Sequence, residues 1–472
     1  MSFASVAFLV FLPIVFLLYW TLQGWHGWQN VCLLVASYVF YGWWDWRFLI
    51  LIVITSLSSF VSGVLIEKSR CRPWWLVGNI CLNLGILGVF KYYGFFADNL
   101  NQLLSQFGLS LDMPTWRIIL PVGISFYTFQ SLSYSIDVYR GKLRATKDIV
   151  AFSTYIAFFP QLVAGPIERA TNLLPQMLGT RRFHYAEAVD GLRRILWGFF
   201  KKLVVADNCA FAVNQIWDNY TDANAVTLVA GMVLFTFQIY GDFSGYSDIA
   251  IGTAKLFGIQ LKENFRLPYF SRSIGEFWRR WHISLMTWFR DYLYIPLGGS
   301  RVGVARTIRN VFVVFLLSGL WHGANWTFIT WGAYNAVLVV LGQWLWKSQT
   351  KNEELVGWRD LWSVLLTFLL VVFGWLVFRA ESLSDAVAYL STLSSALTSS
   401  AVGMPVYGKM AFVYCVLLVV IEWVQRRRLC PLQLEGCWLG HYRWSRWLVY
   451  YLVFMLTFFG RGEEQVFIYF QF

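Results

Sequence analysis

The chain has 472 residues, of which 58% are hydrophobic and only 14% charged, with a mean hydropathy of +0.53. Soluble globular domains are roughly 45–50% apolar and about 25% charged, so this composition excludes an ordinary soluble enzyme. The net charge of +12 sits in short clusters between apolar runs, the pattern of loops that fix membrane topology, and not the continuous basic surface of a nucleic-acid-binding protein.

The N-terminus, Met-Ser-Phe-Ala-Ser, leads directly into an apolar run with no basic region before it. A retained first span is expected there instead of a cleaved signal peptide. A span needs about 20 mostly apolar residues. On that scale, stretches stand out at Phe3–Leu22, Val31–Trp44, Phe48–Ile66, Trp75–Phe95, Ile118–Ile136, Ile149–Val163 and Ile195–Val213. Further ones lie at Val226–Phe257, Val311–Ile329, Trp331–Trp346, Leu361–Phe378, Ala411–Val424 and Trp447–Phe459. Several are short or interrupted by Gly and Pro. The expected fold is an all-α polytopic membrane protein with roughly 11–13 transmembrane or re-entrant helices. No polar linker separates the chain, so a single membrane domain over 1–472 is expected. The basic groups Lys68–Arg72, Arg140–Lys147, Arg193–Lys202 and Arg426–Arg428 read as cytoplasmic loops, with anionic ligands or headgroups as the sharper alternative. With Lys68–Arg72 inside, three crossings place the N-terminus outside. Ser382–Ser400 reads as an external loop with a short helix. The seven cysteines form no CxxC pair and imply neither a disulfide framework nor a metal site, although Cys430 and Cys437 flank one loop and could pair.

Five segments break the apolar pattern. Phe158–Ala170 carries Pro160, Gly165 and Pro166, which forbid a regular helix, and Leu120–Gln130 is read together with it. They suggest irregular backbone lining a cavity. Tyr240–Gly252 places Asp242 and Asp248 in an apolar segment, with Gly241 and Gly245 spaced for close helix packing. The plain reading of the two acids is structural ion pairing, with the arginines of 272–290 as candidate partners.

Residues 260–310 are dense in charge and aromatics. A helix from Ser273 to Arg290 would have Ser273 as N-cap and Glu276 completing a capping box. Glu276 and Arg280 stand in the favourable i,i+4 order. Trp278, Trp281, Leu285 and Trp288 would form an apolar face lying along the cytoplasmic interface. An interfacial anchor is the plain reading; His282, set among Arg279, Arg280 and Arg290, points to more. The fifth segment, LLSGLWHGANWTFITWG, carries His322 where a span would otherwise run. An ionisable residue inside a membrane segment is a functional candidate because its burial is costly. Gly319 and Gly323 leave room for close backbone approach, and Asn325 adds a neutral hydrogen-bonding group. The alternative is a histidine that merely joins two helices. His26, His184 and His441 lie in loops and receive no chemical task.

Together, FPQLVAGPIERA, YGDFSGYSDIAIG, ENFRLPYFSRSIGEFWRRWHISLMTWFRDYLYIPLGG and SGLWHGANWTFITWG resemble the membrane-bound O-acyltransferase family. The nearest branch is that of bacterial alginate O-acetylation proteins and their cellulose-acetylating relatives. The resemblance runs from the first apolar segment to the terminal YFQF and is strongest over Leu120–Trp331, the expected catalytic core (about 120–331). It implies helices around a central funnel or tunnel in the bacterial inner membrane, with acetyl-CoA as donor on the cytoplasmic side. Matched to the family motif, His322 is the essential histidine and His282 the second polar position. Asn335 stands where alginate-type relatives have a histidine, so no proton chemistry is expected there.

A base with a pKa near 6.5 suits removal of a hydroxyl proton. His322 is expected in that role, with His282 orienting the thioester or bracing the oxyanion. Arg279, Arg280, Arg290 and Lys262 would meet the donor's phosphates, since guanidinium matches phosphate geometry. Asp242 and Asp248 would fix those arginines. The resemblance further implies a periplasmic partner of the SGNH acetyltransferase kind, polysaccharide machinery, and O-acetylation of an exported polymer. The competing readings are D-alanyl transfer to teichoic acid and a proton-coupled transporter without acyl chemistry.

Overall fold

The computed structural model describes residues 1–109, 119–163, 165–345, 357–398, 407–435 and 440–468. Cys437 and the terminal YFQF, both noted in the sequence, lie outside them. Helices dominate, and no strand occurs among the described residues. The apolar stretches picked out above are mostly helical over their described residues. Among the described residues, five helical runs are long and apolar enough to cross a membrane: His26–Lys68, Arg72–Gln106, Ala225–Leu256, Val304–His322 and Leu361–Arg379. Val6–Thr21 and Ile149–Leu162 are shorter apolar helices.

By internal contacts the chain divides into two groups, 1–188 with 253–262, and 189–252 with 263–472. In the first, helix Ile124–Tyr139 is buried along most of its length. Its serines meet polar groups on two neighbouring helices. Ser59 of Leu49–Lys68 touches Ser131, Ser59 Oγ donates to Asn79 Oδ1 at 3.2 Å, and Asn79 Nδ2 donates to Ser135 Oγ at 2.8 Å. Helix-to-helix hydrogen bonds of this kind hold bundles together where lipid offers no hydrophobic gain. The irregular backbone expected around Pro160 is present, whereas Leu120–Gln130, read the same way, is regular helix from Ile124 onward. Helix Ile149–Ala157 stops, and a single turn, Phe159–Leu162, follows. Gly123, at φ 73°, approaches it so closely that a Cβ would lie 2.5 Å from the Leu162 carbonyl oxygen.

In the second group, Tyr185–Phe199 continues through a π-helical turn, Phe200–Ala206, into Asp207–Asp218. Gly198 and Gly245 bring its backbone against helix Ala225–Leu256; a Cβ on either would lie within 2.8 Å of the other's carbonyl oxygen. The close packing expected of Gly241 and Gly245 is therefore realised. The stretch Ser382–Ser400, read as a loop with a short helix, is helical over most of its length, Leu383–Thr398, and its last two residues lie outside the described ones. Alanine, leucine and serine at helical spacing support that helix.

Candidate functional site

His26, His184 and His441 are exposed. His282 and His322 are 2% and 6% exposed. Burial alone thus separates the two candidate histidines from the rest, and both lie in the second group.

Helix Val304–His322 ends at His322 itself, and Gly323 is extended at φ −166°. The expected span Val311–Ile329 is therefore two helices, because Gly323 and Asn325 carry little helix propensity and the extended Gly323 does not continue the helix. The next helix, Trp326–Leu345, returns along the first. Their backbones touch: a Cβ on Gly319 would lie 2.2 Å from the Phe328 carbonyl oxygen, and one on Gly332 2.4 Å from that of Phe315. The His322 ring is walled by Trp331 at 5.3 Å and Phe378 at 5.4 Å. Asn325 serves the turn: its amide donates to the Glu381 carbonyl at 2.7 Å and its Oδ1 accepts from Thr327 N–H at 3.1 Å. Asn335 is buried, with its amide on the Trp331 carbonyl at 2.9 Å.

The expected helix Ser273–Arg290 is also two. Ile274–Arg280 begins at the predicted cap, where Ser273 Oγ accepts from Glu276 N–H at 3.3 Å. It breaks at His282, which stands at φ 44°, ψ 52° and opens Ile283–Phe289. A left-handed residue other than glycine is costly and clusters at functional sites. Asn264 holds the break: its carbonyl accepts from Ile283 N–H at 2.9 Å, and its Oδ1 contacts His282 Nδ1 at 3.0 Å. Trp278, Trp281, Leu285 and Trp288 are all buried, so this apolar face packs within the protein and is not an interfacial anchor. The two histidines share a wall. Trp281 packs on Trp375 at 4.9 Å, and Trp375 stacks on Trp331 at 5.7 Å. Burial first, and His322 second, hold the His282 pKa well below the ordinary imidazole value.

A cavity of about 740 Å³ runs along the same stretch. Among the described residues, six arginines line it: Arg266, Arg272, Arg279, Arg280, Arg290 and Arg426. Glu276 is the one acid lining it among the described residues. Its carboxylate accepts from Arg280 at 2.6 Å and from Arg272 at 3.1 Å. Burial raises the Glu276 pKa, but the hydrogen bonds from Arg272 and the nearby Arg280 bring it below the usual glutamate value. Trp278, Met286, Val311, Val314 and Phe315 supply an apolar side. A π-helical turn, Arg290–Tyr294, delivers both of its end residues to the cavity; such turns recur at functional sites. Arg290 also meets Asp291 at 2.7 Å.

Two expected partnerships are corrected. Asp242 and Asp248 do not fix the arginines of 272–290. Asp248 pairs with Arg194 at 2.9 Å and Lys201 at 2.5 Å, and Asp242 with Lys202 at 2.8 Å. Lys202 also reaches Asp207 at 2.7 Å. Arg194, Lys201 and Lys202, read from sequence as loop cations, are buried, because each has an acid within reach and buried charges persist only when paired. Lys262 belongs to the first group, is exposed, and donates its backbone N–H to Glu168 at 2.5 Å. Sequence reasoning missed Arg266, Arg272 and Arg426 at the cavity and Asn264 beneath His282. Asn264 gave no signal, being one amide in a polar loop. The arginines were visible as charge, but their convergence depends on the break at His282.

Residues 141–380 match the model of the MBOAT, membrane-bound O-acyltransferase family. The chain is 44% identical over 400 residues to a Pseudomonas aeruginosa protein named "Probable alginate O-acetylase AlgI", covering 82% of this chain and 73% of that one. It is 33% identical over 412 residues to the peptidoglycan O-acetyltransferase of Helicobacter pylori, covering 80% and 77%. To the teichoic acid D-alanyltransferase of Bacillus subtilis it is 28% identical over 285 residues, covering 57% and 71%. The chain belongs to the membrane-bound O-acyltransferase family and is a multi-pass membrane O-acyltransferase.

Proposed function

We propose that this enzyme takes acetyl groups from cytoplasmic acetyl-CoA and passes them through the inner membrane for O-acetylation of an exported polysaccharide of the alginate or cellulose kind. The two residue groups act as one catalytic domain in this reading, and a passage between the two membrane faces carries the acetyl group. The observation that carries it is the cavity lined by six arginines and one glutamate, set along the helical stretch that breaks at His282. Guanidinium groups bind phosphate bidentately, and coenzyme A brings several phosphate charges. A carrier-protein thioester, the donor class of D-alanyl transfer, brings one phosphodiester and leaves most of these arginines without a counter-charge. A transporter without acyl chemistry gives no reason for such a cavity.

In the reaction, His322 removes the proton from an acceptor hydroxyl as its oxygen attacks the thioester carbonyl. The C–S bond then breaks, and the imidazolium returns the proton to the leaving thiolate. General-base assistance contributes typically about 10²–10⁴-fold. His282 positions the reacting groups. Asp242 and Asp248 support the site by neutralising Lys202, Lys201 and Arg194, and Asn325 by fixing the turn after His322. The final acceptor is a polymer hydroxyl, reached through a periplasmic acetyltransferase partner. The test is turnover of acetyl-CoA by the purified protein in detergent, followed by release of free thiol. Slow thioester hydrolysis that His322→Ala abolishes is expected. Hydrolysis equal in wild type and His322→Ala, or none in a folded wild type, would overturn the reading.

A further inference from the structure

Asn264 is fully buried and makes its hydrogen bonds where three segments meet. Its Oδ1 accepts from the Ser284 backbone N–H at 3.3 Å and from Ser284 Oγ at 2.8 Å, and its Nδ2 donates to Ser247 Oγ at 3.1 Å. A backbone N–H can only donate, so the atom facing Ser284 is the amide oxygen. That same oxygen lies 3.0 Å from His282 Nδ1. An amide oxygen can only accept, so the ring nitrogen between them carries the proton. A neutral imidazole protonated at Nδ1 has its lone pair on Nε2. Phe243 edges the His282 ring at 4.6 Å and 88°, and Phe265 lies at 6.4 Å, so the ring is also held by packing. His322 is one titratable group that acts on it.

We infer that Asn264 is a positioning residue that fixes His282 as its Nδ1–H tautomer, making Nε2 a hydrogen-bond acceptor that steers the acceptor hydroxyl. In this state His282 cannot donate from Nε2, so it does not brace a developing oxyanion. The arrangement follows the general logic of a base-side histidine oriented by a third group. The inference rests on the proposed acyl-transfer role of the His282 region, and its test separates the two.

The experiment is the pH profile of acetyl-CoA turnover for wild type, Asn264→Asp, Asn264→Ala and His282→Ala, each checked for folding by thermal unfolding in detergent. A carboxylate in place of the amide stabilises the imidazolium, and a neighbouring opposite charge shifts a pKa by about 1–3 units. For a residue that works as an acceptor, protonation removes activity. Asn264→Asp is therefore expected to move the acid limb upward by about 1–3 pH units while retaining activity at alkaline pH. Asn264→Ala is expected to lower kcat at least tenfold with the KM for acetyl-CoA unchanged. An inactive His282→Ala with an unshifted Asn264→Asp profile overturns the inference and leaves the site reading standing. Activity of Asn264→Asp that rises as pH falls also overturns it, since that marks a cationic donor. Full activity of His282→Ala overturns the site reading and the inference with it. If Asn264→Asp does not fold, Ser284→Ala carries the same test: it removes one hydrogen bond on Oδ1, should lower kcat several-fold, and overturns the inference if kcat is unchanged.

Discussion

The cost of burying charge explains most of what individual residues do here. Lys202 has 2% of its side chain exposed and Asp207 1%, and such a pair survives only because each member has a partner. The cavity arginines are different, since they outnumber the acids around them and so have binding capacity to spare. Charge-assisted hydrogen bonds contribute about 1.5–3 kcal/mol each. Replacing Arg266 or Arg426 by Ala should therefore raise the KM for acetyl-CoA about tenfold or more, with kcat changed less, in steady-state assays of the purified enzyme. An unchanged KM in both variants would remove the cavity from donor binding. The sequence singled out His322 because an imidazole within a long apolar stretch has few plain explanations, and His282 because it stands among arginines in a stretch dense in charge and aromatics. The partners of Asp242 and Asp248 were not. Sequence distance hides the fact that a π-helical turn at Phe200–Ala206 brings Lys201 and Lys202 against Ala225–Leu256.

At the scale of elements, glycines decide where helices meet and breaks decide where chemistry sits. The hairpin Val304–His322 and Trp326–Leu345 depends on Gly319 and Gly332, each of which admits a carbonyl oxygen where a side chain would stand. Overpacking a tight contact typically costs about 1–3 kcal/mol. Gly332→Val should lower the thermal unfolding midpoint and reduce turnover, since the same contact sets the height of His322 against Trp331. An unchanged midpoint and activity would show that the hairpin tolerates separation. The apolar stretches announced nearly every helix, because about 20 lipid-compatible residues leave the backbone little alternative to a helix. The break at His282 was not announced. IGEFWRRWHISLMTWF has a continuous helical pattern, and the left-handed turn is held by the hydrogen bonds that Asn264 accepts, a tertiary effect.

For the molecule as a whole, the composition and the chemistry answer each other. A soluble acetyltransferase would need neither the apolar helices nor histidines buried beneath tryptophans. An enzyme that moves an acetyl group from one side of a membrane to a polymer on the other needs both. The two residue groups divide the work: polar ladders consolidate the first, and the second holds both histidines and the arginine-lined cavity. The proposal that His322 chemistry puts acetyl esters on an exported polymer is tested by the alkali-labile acetate on exopolysaccharide from a deletion strain complemented with wild type or His322→Ala at matched membrane levels. Wild type is expected to restore the esters and His322→Ala to restore at most about one hundredth as much; full restoration by His322→Ala would overturn the role given to His322.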